Sequence, residues 1–103
     1  MTGDKQWPDA LAELARIRDE IEGIDRALIE LVAKRVELAR QVGAVKRTAG
    51  LPVLDPPREA AVVRRAGALA REAGIDDDEV RYLFWHLIGL SRRAQLQERD
   101  ARG

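Results

Sequence analysis

The chain has no cysteine, one histidine, one phenylalanine, one tyrosine, two tryptophans, and as many basic residues as acidic ones, 18 of each. Without cysteine there is no disulfide framework, zinc–thiolate site or thiol nucleophile. The lone His86 has no serine or metal-ligand partner at helical spacing, so it is read as a surface or packing residue. Trp7 and Trp85 are read as packing residues. Balanced charge leaves no basic field to draw the chain to nucleic acid or a membrane surface. No stretch approaches a membrane span in apolar length, and Met1 to Ala10 is polar without an apolar signal core. The expectation is a cytoplasmic protein without nucleic-acid or membrane partners. At 103 residues it makes one domain, 1–103, with a core of about 9–97 and frayed polar termini, the tail from Glu98 to Gly103 among them.

What the chain does have is helical periodicity; strand patterns, internal repeats and low-complexity tracts are missing. The first periodic segment begins near Pro8, a suitable first-turn residue, and runs to about Thr48, where Gly50 and Pro52 stop it. Gly23 and Gly43 weaken it, each by about 1 kcal/mol relative to alanine. Some 40 residues at ~1.5 Å each predict a rod of ~60 Å, whereas a compact domain of this size has a radius of gyration of ~13 Å. The rest of the chain cannot cover such a rod, which implies a helical homo-oligomer, most simply a dimer. Asp55-Pro56-Pro57 opens a second helix with an N-cap carboxylate followed by proline. Because Pro57 has no N–H, the Asp55 side chain has only the Arg58 amide to cap. The second helix carries Val62, Val63, Ala66, Leu69 and Ala70 and ends at Gly74. Asp76-Asp77-Asp78-Glu79 opens a third, with the stripe Val80, Leu83, Phe84, Leu87, Ile88, Ser91, Ala94, Gln95. The fold class is all-α, with one long and two shorter helices per chain.

Polar residues interrupt these stripes. Stepping three and four residues from Leu14 gives Ile17, Ile21, Ile24, Leu28, Leu31, Arg35, Leu38, Val42 and Val45, aliphatic throughout except for Arg35. A leucine there would contribute roughly 1.5–3 kcal/mol on burial, whereas a buried unpaired charge is costly, so an anion is expected beside it. Arg35, Ala39, Val42 and Lys46 share one line, two cations bracketing two apolar residues, which suits a compact anionic ligand. The plainer alternative is that both cations snorkel to solvent. Ser91 and Gln95 place hydrogen-bonding groups where the third stripe should stay apolar. Arg58 and Glu59, in the first turn of the second helix, fit ordinary capping and dipole compensation. Arg18 lies ~25 Å along the first helix from Arg35 and about 100° around it. One small ligand cannot touch both from one chain, but in an antiparallel dimer Arg18 of the partner subunit could approach Arg35. Gly89, inside the third helix, has no clear role beyond permitting close helix approach.

Taken together, Arg18-Asp19-Glu20-Ile21, Asp25, Arg35 in KRVELA, Gly43 with Lys46 in VGAVK, Pro52-Val53, Asp55-x-x-Arg58-Glu59, Leu83-Phe84, Ser91 and Gln95 resemble the all-helical (AroQ-class) chorismate mutases. The resemblance runs from about Leu11 to Gln95. It implies an intertwined homodimer whose sites are each completed by an arginine from the other chain. Arg35, Arg58 and Arg18 of the partner subunit would hold the two carboxylates of chorismate, helped by Ser91, with Val42 and Ile88 as further binding residues. Lys46 and Gln95 would be catalytic, donating hydrogen bonds to the ether oxygen, and Asp55 and Glu59 would sit near the ring hydroxyl. The reaction, chorismate to prephenate, is an intramolecular rearrangement of one bound molecule and implies no cofactor and no metal. A 4-amino-4-deoxychorismate mutase and an isochorismate pyruvate-lyase remain alternatives of the same fold. A non-catalytic helical dimerisation or regulatory module is the alternative from another class, but it gives no reason for Arg35, Lys46, Ser91 and Gln95 to occupy apolar stripes.

Overall fold

The computed structural model describes the backbone of residues 3–102 and the side chains of residues 7–97. Its elements are three α-helices: α1 (Gly3–Ala49), α2 (Pro56–Ala73) and α3 (Asp77–Arg102), with no strand among the described residues. The all-α, three-helix expectation holds. The expected fraying of the polar termini falls on side chains outside the described residues. Among those described, no helix is long and apolar enough to cross a membrane. Contacts divide the chain into two units, residues 1–33 and 34–103.

The first unit is helical throughout its described part. α1 starts before the expected Pro8, which lies inside it. A proline ring suits helical φ, but past the first turn it forfeits one backbone hydrogen bond and crowds the carbonyl four residues back. Arg16 pairs with Glu13 and Glu20, one turn away on either side, each pair stabilising the helix by a few tenths of a kcal/mol. Every residue from 7 to 31 is exposed. That includes the aliphatic stripe, from Leu14 at 41% to Leu31 at 63%.

The second unit holds the core, in which Val62 and Val63 of α2 pack with Ile88 of α3 and the half-buried Phe84. Ala66, Ala70 and Ala94 are buried beside them, so small side chains let the helices approach. Local chemistry sets the helix ends. Gly50 takes φ +70°, and the Leu51 N–H donates to the Lys46 carbonyl at 2.8 Å, closing α1. Asp55 caps α2 by accepting from the Arg58 N–H at 3.2 Å, the donor that Pro57 leaves available. Gly74, at φ +75°, ends α2, and the Ile75 N–H reaches back to the Ala70 carbonyl at 2.9 Å. Asp76 caps α3 through the Glu79 N–H at 3.0 Å. Arg71 donates to Asp77 at 2.7 Å across the turn and holds that carboxyl below the usual carboxylate range.

Two expectations about packing change. Leu69 and Leu83, on the predicted apolar stripes, are 55% and 56% exposed, so those faces lie outside the core of the second unit among the described residues. Trp7 and Trp85 do not enter the core either, at 69% and 46% exposure.

Gly43 has a role beyond weakening its helix. A Cβ there would lie 3.0 Å from the Cα of Gln95, so glycine lets α1 and α3 approach at this point. Gly43→Val should destabilise the fold by about 1–3 kcal/mol through overpacking. Thermal unfolding followed by circular dichroism should show Tm falling by several degrees, and an unchanged Tm would contradict the close approach. Gly89 is different: a Cβ there would meet only the Arg93 side chain, at 3.4 Å, so within this chain it serves no such approach.

Candidate active site

The second unit contains a cleft of about 280 Å³ between the end of α1, the start of α2 and the middle of α3. It lies near the lower limit of typical small-ligand pockets, ~300–1,000 Å³, and so suits a compact molecule. α1 contributes Arg35, Leu38, Ala39, Val42 and Lys46. The 3.6-residue repeat brings these onto one side of the helix. The connection to α2 adds Val53 and Asp55, and the first turns of α2 add Arg58, Glu59 and Val62. α3 supplies Ile88, Ser91 and Gln95 at helical spacing. Nine of the ten residues singled out from the sequence therefore meet here. The tenth, Arg18, belongs to the first unit, is exposed there, and does not line the cleft.

Arg35 is half-buried, and its guanidinium donates to the Ser91 hydroxyl. Burial lowers its pKa from the ordinary arginine value, and the positive charges of Arg65 and Arg58 push in the same direction. Lys46 Nζ donates to the Val53 carbonyl at 2.8 Å and to Gln95 Oε1 at 3.3 Å. An ammonium can only donate, so it faces the amide oxygen of Gln95 and leaves the Nε2 hydrogens free to donate elsewhere. The same contacts leave the ammonium with unspent donor capacity, since two of its three N–H groups are engaged.

The carboxylates are more fully committed. Asp55 Oδ1 accepts from the Arg58 amide. Glu59 is held from α3 by Arg92, whose Nε donates to Oε2 at 3.1 Å and whose second nitrogen donates to Oε1 at 2.5 Å. Glu59 in turn raises the pKa of Arg92 above the ordinary arginine value. Among the described residues no carboxylate forms an ion pair with Arg35, Lys46 or Arg58. With Glu59 neutralised, three cations face one unpaired carboxylate, Asp55, a surplus of two positive charges around the cleft.

Arg92 and the Val53 carbonyl were not legible as parts of the site. Arg92 lies one residue beyond Ser91, off the apolar stripe, and its partner is 33 positions away. A backbone acceptor such as Val53 carries no side-chain signature at all.

The chorismate mutase type II family profile matches residues 17–96, which includes every residue of the cleft. A chorismate mutase from Methanocaldococcus jannaschii is 33% identical over 87 residues, covering 84% of this chain and 88% of that protein. A T-protein from Enterobacter agglomerans is 43% identical over 68 residues, which make up 66% of this chain. The chain spans only 18% of that T-protein's length. A 4-amino-4-deoxychorismate mutase from Streptomyces venezuelae is 32% identical over 72 residues, 70% of each chain. With the profile covering most of the chain and the M. jannaschii relative matched over nearly its whole length, this chain belongs to the chorismate mutase type II family.

Proposed function

We propose that the chain is a chorismate mutase, an isomerase that rearranges chorismate to prephenate in the cleft between the three helices. The observation that carries this reading is the surplus of two positive charges around a small apolar-floored cleft. Chorismate carries two carboxylates on a compact ring, so its charge and size complement the site.

The rearrangement breaks the ether C–O bond and forms a C–C bond within one molecule, without a nucleophile or a proton transfer. The protein must hold the folded conformer and stabilise the negative charge that grows on the ether oxygen. Arg35, positioned by Ser91, and Arg58 hold the carboxylates, while Val42 and Ile88 restrict the ring, which removes much of the orientational entropy from the barrier. Lys46 and the Gln95 amide donate to the ether oxygen, and Val53 and Gln95 fix the ammonium before reaction. A millionfold acceleration requires about 8 kcal/mol. One preorganised donor supplies about 3–4 kcal/mol, so two donors with conformer selection suffice.

The active assembly in this reading is an intertwined homodimer in which Arg18 of the partner subunit completes the carboxylate clamp. The exposed aliphatic stripe from Leu14 to Leu31 supports it, since a second copy of the same helix would cover an apolar surface of matching character.

Purified protein should consume chorismate, seen as loss of its ultraviolet absorbance with prephenate as product. The similarity to a 4-amino-4-deoxychorismate mutase favours one second reading, in which the amino analogue is the better substrate, and assaying both compounds ranks the two. Turnover of neither would overturn the mutase reading.

A further inference from the structure

Arg92 does not line the cleft, yet it holds both oxygens of a residue that does. We propose that Arg92 is a positioning residue that sets which ring substituent the cleft accepts: by engaging Glu59 in a two-pronged ion pair, it favours a neutral hydroxyl over an ammonium. The inference rests on the chorismate mutase reading and deepens it toward substrate choice.

The two carboxylates of the cleft are the groups that could discriminate a hydroxyl from an amine on the ring. An amine at that place is protonated near neutral pH and needs an uncompensated carboxylate as counterion. Asp55 has one oxygen committed to capping α2. Glu59 has both oxygens engaged by the planar guanidinium fork, a geometry that fixes orientation as well as charge. The Glu59 side chain is only 18% exposed and that of Arg92 35%, so water screens the pair less than it would at the surface. An incoming ammonium would meet a neutralised Glu59, with only Asp55, one oxygen of which caps α2, to set against the unpaired charges of Arg35, Lys46 and Arg58. A hydroxyl would still find lone pairs on Glu59, because each carboxylate oxygen can accept more than one hydrogen bond. Removing the Arg92 charge would turn Glu59 into a free counterion and reverse the balance.

The experiment measures kcat/KM of the full chain for chorismate and for 4-amino-4-deoxychorismate, in the wild type, Arg92→Met, Arg92→Gln, Arg92→Lys, Glu59→Gln and the Arg92→Met/Glu59→Gln double variant, with circular dichroism as a fold check. The charge-removing variants Arg92→Met and Arg92→Gln should each raise the ratio of amino analogue to chorismate at least tenfold, equivalent to about 1.4 kcal/mol; if one fails to fold, the other decides. Arg92→Lys should keep the ratio near that of the wild type. In the Glu59→Gln background, Arg92→Met should no longer shift the ratio, because the carboxylate it would release is gone. A folded charge-removing variant that loses activity equally on both substrates would overturn the inference while leaving the mutase reading intact. A shift that persists in the double variant would also overturn it, since Arg92 would then act other than through Glu59. Turnover of neither compound by the wild type would overturn the mutase reading and this inference with it.

Discussion

Replacing Lys46 by alanine is expected to lower kcat for chorismate by about 10³-fold while changing KM far less. The ammonium is fixed by the Val53 carbonyl and the Gln95 amide oxygen before any substrate arrives. In the proposed mechanism its contribution is therefore greatest where charge develops on the ether oxygen and small in the ground state, where that oxygen is a weak acceptor. Losing one such donor costs about 10²–10³ in kcat, and a formal charge in a half-buried cleft belongs at the upper end. The variant also frees the Gln95 amide to turn its oxygen toward the cleft, which adds to the loss. Circular dichroism should show an unchanged helix content, because Lys46 is only one anchor of the 50–55 connection. A drop below tenfold, or one confined to KM, would remove Lys46 from the chemistry.

The second large effect concerns the proposed dimer. Arg18→Ala and Arg35→Ala are each expected to abolish most activity as homodimers, for both residues would bind the same dicarboxylate from different chains. Mixed in equal amounts and allowed to exchange subunits, they should regain activity. In a heterodimer one site carries both lesions and the other carries neither. Random exchange in a twofold dimer places half the protein in heterodimers with one intact site each, so recovery should approach about a quarter of wild-type activity. If mixing restores nothing although exchange is shown by mass spectrometry, Arg18 does not act across the dimer. Arg35 provides the internal comparison: it lines the cleft of its own chain and has no carboxylate partner among the described residues.

These residues also show which features a sequence reveals and why. Arg35, Lys46, Ser91 and Gln95 were legible because each breaks an apolar stripe, and a stripe has a geometry that holds before any tertiary contact is known. The Asp55 cap was legible in atomic detail because Pro57 leaves only one amide for it to reach, the Arg58 N–H seen here. Arg92 was not, because pairing across helices depends on their rotation and crossing, and the segment Ser91-Arg92-Arg93 offers two arginines of equal standing. Spacing alone fits Glu59 to an ordinary first-turn carboxylate for the same reason, and only the family resemblance assigns it to the site. The early start of α1 shows the limit of boundary rules: a proline favours the first turn but tolerates a position slightly deeper.

Residues 7–31 carry one further consequence. None of them is buried in its own chain, and an isolated helix of that kind is marginal in water. In the proposed homodimer the partner's copy would cover this segment, which would couple its order to mass action. Diluting the protein should therefore act on this segment as heating does, and specific activity should decline in assays run well below the association constant's concentration range. On the proposed dimer reading, such a chain would have a lower limit on useful abundance, below which synthesis of a correctly folded sequence yields few completed sites.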